Sequence, residues 1–137
     1  MKINANLKEA LRWLKQAEAD LSSAEDSLNT KHYEWCCFQS QQAAEKALKS
    51  FLYSKRRRAI LTHSVRELII ECSKYRNEFK TLIIEARFLD TFYIPTRYPN
   101  GLPGTAIPSE FYTMVEAKKC LNSAKKIVRM VKKSIKQ

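Results

Sequence analysis

A chain of 137 residues with 45% hydrophobic content can bury one core without disulfides or a structural metal, and is too apolar to be disordered. Its 25 Lys and Arg against 14 Asp and Glu leave a net charge of +11, which serves solubility or favours a polyanion: RNA, DNA, a nucleotide, an acidic protein or an anionic membrane. With two glycines, Gly101 and Gly104, and four prolines confined to 95–108, a turn-rich all-β fold is excluded.

The first predicted element covers about 5–28, where Leu7, Leu11, Leu14, Ala17, Leu21, Ala24 and Leu28 recur at helical steps of three and four. Asn29 and Thr30 then supply cap and turn chemistry. A second helix is expected over 32–54, with Cys37, Ser40, Ala44, Ala47, Leu48, Phe51 and Leu52 on one face and Gln42, Glu45, Lys46 and Lys49 on others. Its small residues allow a neighbouring helix to approach closely. The cations Lys55-Arg56-Arg57-Arg58 complement its C-terminal end, as a solvated turn or a nucleic-acid contact.

A third helix is predicted to start near Thr62, because Ser64-Val65-Arg66-Glu67 fits the S-x-x-E capping box ahead of Leu68, Ile69 and Ile70. His63, beside this cap, is expected to be a buried hydrogen-bonding residue that ties the loop down. A fourth helix over about 77–93 carries Phe79, Leu82, Ile83, Ala86 and Leu89, with Asp90 and Tyr93 near its end. Residues 94–108 form the only long irregular stretch, and a loop of that length in a compact domain tends to be functional or disordered. The last helix, about 109–135, sets Met114, Ala117, Leu121, Ala124, Val128 and Val131 against a face of Lys118, Lys119, Lys125, Lys126, Arg129, Lys132, Lys133 and Lys136.

The expectation is one all-α domain over 1–137, an up-and-down bundle of four to five helices. Trp13, Trp35 and Phe38 are expected in its core or at a dimer interface. Cys36, Cys37, Cys72 and Cys120 lack zinc-site spacing to each other or to His32 and His63, so they read as reduced, small hydrophobes and no metal is expected. The N-terminus has no apolar secretory core, and no run reaches membrane-span length, so a cytoplasmic location is expected.

Phosphate-binding glycine loops, HExxH and GxSxG are absent from the sequence. Chemistry must therefore lean on Arg, Lys, Tyr or Glu. The segment Asp90 to Asn100 places Arg97 between Tyr93 and Tyr98 in a proline-bounded turn. Arg97 has the geometry to clamp a phosphate and the tyrosines to stack on a base. The competing reading has the tyrosines packing the loop while Arg97 pairs with Asp90 or a helix carboxylate.

Four stretches in order resemble the HEPN family over roughly 8–132: Trp13…Ala17…Asp20-Leu21; Tyr33-Glu34-Trp35-Cys36-Cys37-Phe38-Gln39-Ser40-Gln41-Gln42-Ala43-Ala44-Glu45-Lys46-Ala47-Leu48-Lys49; His63-Ser64-Val65…Leu68; and Tyr93-Ile94-Pro95-Thr96-Arg97-Tyr98-Pro99. The resemblance implies a helical bundle that commonly dimerises, and a link to nucleotides or RNA. Many members are RNases, often toxins paired with a minimal nucleotidyltransferase antitoxin, with an arginine followed four to six residues later by a histidine. Arg97 matches that arginine, but YPNGLPGTAIP after it holds no histidine. The chain instead resembles the Arg-Tyr-Pro branch, for which nucleotide binding has been proposed.

The expected function is thus a nucleotide- or RNA-binding module of toxin-antitoxin kind, without cofactor and without RNase activity because the arginine–histidine motif is incomplete, working with a minimal nucleotidyltransferase. Arg97, Tyr98 and Tyr93 would bind phosphate and base, with Lys46 and Lys49 in electrostatic support. Asp20, Gln42, Glu45 and His63 would form a structural polar network. Two alternatives stand beside it: a metal-independent ribonuclease using Arg97 with His63 or Tyr98 as a non-standard base, and a purely structural dimeric interaction protein.

Overall fold

The computed structural model of the protein describes residues 4–135. Helix α1 (Ala5–Asn29) begins where the Asn4 side chain accepts from the Leu7 N–H at 2.8 Å. Helix α2 (Tyr33–Ser54) folds back against it. The two are antiparallel: Ser27 meets Gln39 at 2.7 Å, Lys46 meets Asp20 at 2.6 Å, and Ser50 Oγ donates to the Ala10 carbonyl at 2.8 Å. That last contact needs a small residue at position 10, so Ala10 is buried and Leu11, expected on the core stripe, is 40% exposed.

Helix α2 is the centre of the bundle, with 14 of its 22 residues buried. Residues 55–64 run back along it, so that α3 (Val65–Ser73) lies beside α2 in the same direction. Gln41 Nε2 donates to the His63 carbonyl at 3.0 Å and Cys72 Sγ to the Leu48 carbonyl at 3.6 Å. A 3-10 turn over Asn77–Leu82 replaces the first half of the expected helix 77–93, and α4 (Ile83–Asp90) is the remainder. Phe79 of that turn is buried against Phe51, ring centroids 4.8 Å apart.

The expected single helix over 109–135 is two elements, α5 (Pro108–Phe111) and α6 (Met114–Ile135). Tyr112 is extended between them (φ −85°, ψ 148°), and Thr113 opens α6 with a reciprocal capping box. Its Oγ1 accepts from the Glu116 N–H at 3.2 Å, and Glu116 Oε1 accepts from the Thr113 N–H at 3.0 Å. Helix α6 is antiparallel to α1 through Lys125–Glu25 (2.6 Å) and Lys132–Glu18 (3.3 Å), and to the α4 side through Lys133–Glu78 (3.3 Å). Among the described residues six α-helices, one of only four residues, make up the expected all-α bundle in place of four to five, with α3 running alongside α2 where the chain does not reverse, and no strand occurs.

All four cysteines are free and buried at the α2–α3–α6 seam. Burial pushes the Cys36 thiol up from 9.0 to about 12 and the Tyr112 hydroxyl from 10.0 to about 12, and raises Cys72 and Cys120 as well. Two results are expected. A thiol reagent at neutral pH modifies the cysteines only after denaturation. Stability is full below about pH 9, because the folded state prefers the neutral thiols, and falls as pH rises from there towards about 12; urea midpoints across that range check it.

Candidate nucleic-acid interface

Asp90, the last residue of α4, accepts three hydrogen bonds from the start of α3. Its Oδ1 takes the Val65 N–H at 2.6 Å, and its Oδ2 takes Ser64 Oγ at 2.8 Å and the Arg66 N–H at 3.2 Å. A carboxylate there satisfies orphan helix donors and complements the positive helix end. Ser64 is the expected cap and accepts from the Glu67 N–H at 3.1 Å. Glu67 does not close the box directly. Its carboxylate accepts from Thr62 Oγ1, which accepts from the Ser64 N–H at 3.1 Å. Asp90 is thus committed to α3 and is not the partner of Arg97.

The loop after Asp90 is folded tightly on itself. Thr96 is buried and donates from Oγ1 to the Phe92 carbonyl at 2.7 Å, and the Arg97 N–H donates to the Ile94 carbonyl at 3.1 Å. The loop recrosses itself at Gly101, where a Cβ would lie 3.0 Å from Pro95 Cα, tighter than ordinary packing. The Arg97 side chain turns back to donate from Nε and Nη2 to the Tyr93 carbonyl at 3.0 and 2.8 Å. Its guanidinium carbon lies 4.3, 4.8 and 5.2 Å from the ring centres of Phe38, Tyr93 and Tyr98. Of five N–H donors two are used, which leaves three for an anion. Among the described residues Arg97 has no carboxylate partner.

His63 joins this cluster from the other side. Its ring stacks on Tyr93 (5.2 Å, 18°), and its Nδ1 lies 3.3 Å from Glu45 Oε2. The expectation of a buried His63 is corrected: its side chain is 56% exposed, because the 55–64 segment runs over the outside of α2. Its hydrogen bond to Glu45 survives. Beneath it, Gln41 is the hub that the spacing did not single out. Gln41 donates to the His63 carbonyl and to Glu45 Oε1, and accepts from Gln42 at 2.8 Å.

Gln42, Glu45 and His63 therefore share a network, and Asp20 does not. Asp20 is tied instead to Lys46 at 2.6 Å and Gln16 at 2.9 Å. Lys49, expected as free electrostatic support, is 4% exposed and ion-paired with Glu45 at 3.0 Å. Lys46 is engaged by Asp20. Arg97, Tyr93 and Tyr98 come together, and the two lysines stand apart from them. Phe38, the ring nearest Arg97, carried no signal beyond its size.

The lysine-rich face of α6 is largely used within the fold: Lys125, Lys126, Lys132 and Lys133 each meet a glutamate, and Lys119 lies over Phe88. Lys136 lies outside the described residues. Of the three large aromatic residues, Phe38 and Trp13 are half-buried and Trp35 is exposed. Among the described residues no helix is long and apolar enough to cross a membrane, and no three His, Cys, Asp or Glu side chains converge on a metal position.

The sequence profile of the HEPN domain matches residues 10–134. A Methanocaldococcus jannaschii protein named as a candidate toxin is 31% identical over 139 residues, covering 96% of this chain and 91% of the relative. The crystal structure of a Thermus thermophilus protein superposes with a TM-score of 0.84 at 37% identity, covering 91% of this chain and 97% of the other. A HEPN domain protein from Thermotoga maritima superposes with a TM-score of 0.74 at 29% identity, covering 92% of this chain and 98% of the other.

Two stability measurements check the scaffold of the site. Asp90→Ala is expected to cost about 1–3 kcal/mol in urea denaturation, from the lost cap and unpaired donors. Glu45→Met strands the buried Lys49 ammonium and is expected to cost about 3–5 kcal/mol, whereas Glu45→Met with Lys49→Met recovers most of that loss.

Proposed function

The chain belongs to the HEPN domain family, and on that premise we propose that it is a toxin-type HEPN protein whose Arg97 site binds the phosphate of a nucleotide or RNA strand. One observation carries this reading: a half-buried arginine is held against three aromatic rings and a backbone carbonyl, with no carboxylate among the described residues to neutralise it. Such a charge is complemented by an anion, and the 50% exposed ring of Tyr98 gives the base of that anion a stacking face. The relative named as a toxin supports the same setting.

Within this proposal the chain works with an antitoxin of the minimal nucleotidyltransferase kind and self-associates. An exposed apolar groove between α4 and α6 supports docking of a protein, since Ile84 and Val115 on its walls are 75% and 76% exposed. Lys118 beside them favours an acidic partner.

A second reading is favoured by the place of His63. Its ring stacks on Tyr93, which Arg97 also contacts, and it lies beside Glu45, so it is the one histidine of this cluster. In that reading His63 takes the 2′-hydroxyl proton of RNA and the 2′-oxygen attacks phosphorus. The 5′-oxygen leaves with a proton from water, and Arg97 holds the phosphate, leaving a 2′,3′-cyclic end.

The test is titration of a fluorescent single-stranded RNA with the purified protein. Arg97→Ala is expected to weaken binding about 10-fold or more, and Arg97→Lys not to restore it, since the ring-stacked, multi-donor geometry is specific to guanidinium. Unchanged affinity in Arg97→Ala contradicts the proposal. Release of cyclic-phosphate products that stops in His63→Ala selects the second reading.

A further inference from the structure

The far end of α2 holds a cleft that the Arg97 site does not use. Trp13 of α1 and Tyr53 of α2 meet there with ring centroids 5.2 Å apart, tilted by 39°. On one side they border a hollow of about 510 Å³ lined also by Asn6, Glu9, Arg12, Arg57 and Arg58. On the other side Arg12 and Trp13 border a second hollow of about 510 Å³ with Lys15, Gln16 and Lys46. Either volume lies in the range of small-ligand sites.

The cations here differ in availability. Arg57 is held by Glu71 at 3.0 Å, and Lys46 by Asp20 at 2.6 Å. Arg12 has only an exposed contact to Glu9 at 3.4 Å. Among the described residues the Lys15 and Arg58 side chains, both at the surface, engage no other group. Free cations around an aromatic platform are the arrangement that takes a nucleotide base on its face and phosphates on its flanks. The α6 lysines, by contrast, are mostly paired.

Continuity with the Arg97 site favours a strand over a free nucleotide. Phe38 under Arg97 and Tyr53 in the cleft are on the same helix, about 22 Å apart at about 1.5 Å per residue. Between them the His63 ring, stacked on Tyr93, is exposed, whereas the Glu45–Lys49 pair runs beneath the surface, where Lys49 Nζ reaches 6.0 Å from the Trp13 ring. A stacked strand at about 3.4 Å per nucleotide covers that length with about seven nucleotides.

We infer that the α1–α2 cleft is a second binding subsite for single-stranded RNA, taking a base on Trp13–Tyr53 and phosphates on Arg58, Arg12 and Lys15. The strand's path onward to Arg97 rests on the function proposed above; the cleft itself does not. The experiment uses a Trp35→Phe background, in which Trp13 is the sole tryptophan. The probes are oligouridylates from a dinucleotide to an octanucleotide, followed by Trp13 fluorescence and by anisotropy of the labelled RNA. The octanucleotide is expected to quench Trp13. In the same titration Trp13→Leu weakens its binding by about fivefold or more, Trp13→Phe recovers most of the loss, and Arg58→Glu weakens it without altering the circular dichroism of the helices.

Octanucleotide binding that leaves Trp13 fluorescence unquenched and is indifferent to Arg58→Glu overturns the inference. Loss in Arg97→Ala with none in the cleft variants sinks the cleft and leaves the Arg97 reading standing. Loss only in the cleft variants does the reverse.

Discussion

The site depends on a carboxylate that touches no ligand. Asp90 ends α4 and accepts the first donors of α3, so two segments far apart in sequence are pinned at one point. His63 immediately precedes the capped turn, and Tyr93 closely follows Asp90. With the two backbones joined there, their rings stack, and the Arg97 guanidinium lies 4.8 Å from the same Tyr93 ring. The same joint explains why Arg97 lacks an acid partner: the nearest acidic residue in its own segment is already engaged by three donors.

A second constraint lies under the joint. Lys49 and Glu45 are paired inside the bundle, and Gln41 links them to the His63 backbone. Burying two charges gains little stability against an apolar pair, yet it fixes geometry, because either partner alone is costly. Glu45 accepts from Lys49 and faces His63 with the same oxygen, so the imidazole orientation is set from the core outward. The cap at Asp90 places the histidine, and the buried pair orients it.

The long helices were legible because apolar steps of three and four mark their buried faces, and α1 and α2 begin and end within about a residue or two of the expected bounds. The Ser64 cap was legible as a local motif. The start of α6 was missed although Thr113 and Glu116 have capping-box spacing, because Pro108 followed by Ser109 and Glu110 offers an earlier start. The Glu45–Lys49 pair looks like any solvated i, i+4 pair. Helix α2 is surrounded on nearly all sides, so its periodicity does not tell a core charge from a surface one. Arg97, Tyr93 and Tyr98 were legible from a proline-bounded turn, whereas Phe38 and His63 enter the cluster only through tertiary packing. The lysine stripe of α6 was visible in sequence, but not its pairing with glutamates of α1 and α4.

The central claim is that an anion meets the guanidinium of Arg97. It is tested most directly by the side-chain Nε–Hε signal of Arg97 in nuclear magnetic resonance spectra during titration with a short single-stranded RNA. The account predicts that this signal and the ring signals of Tyr93 and Tyr98 shift together and saturate with the binding curve. Shifts confined to the α6 lysines, with the Arg97 signal unmoved at saturation, contradict it.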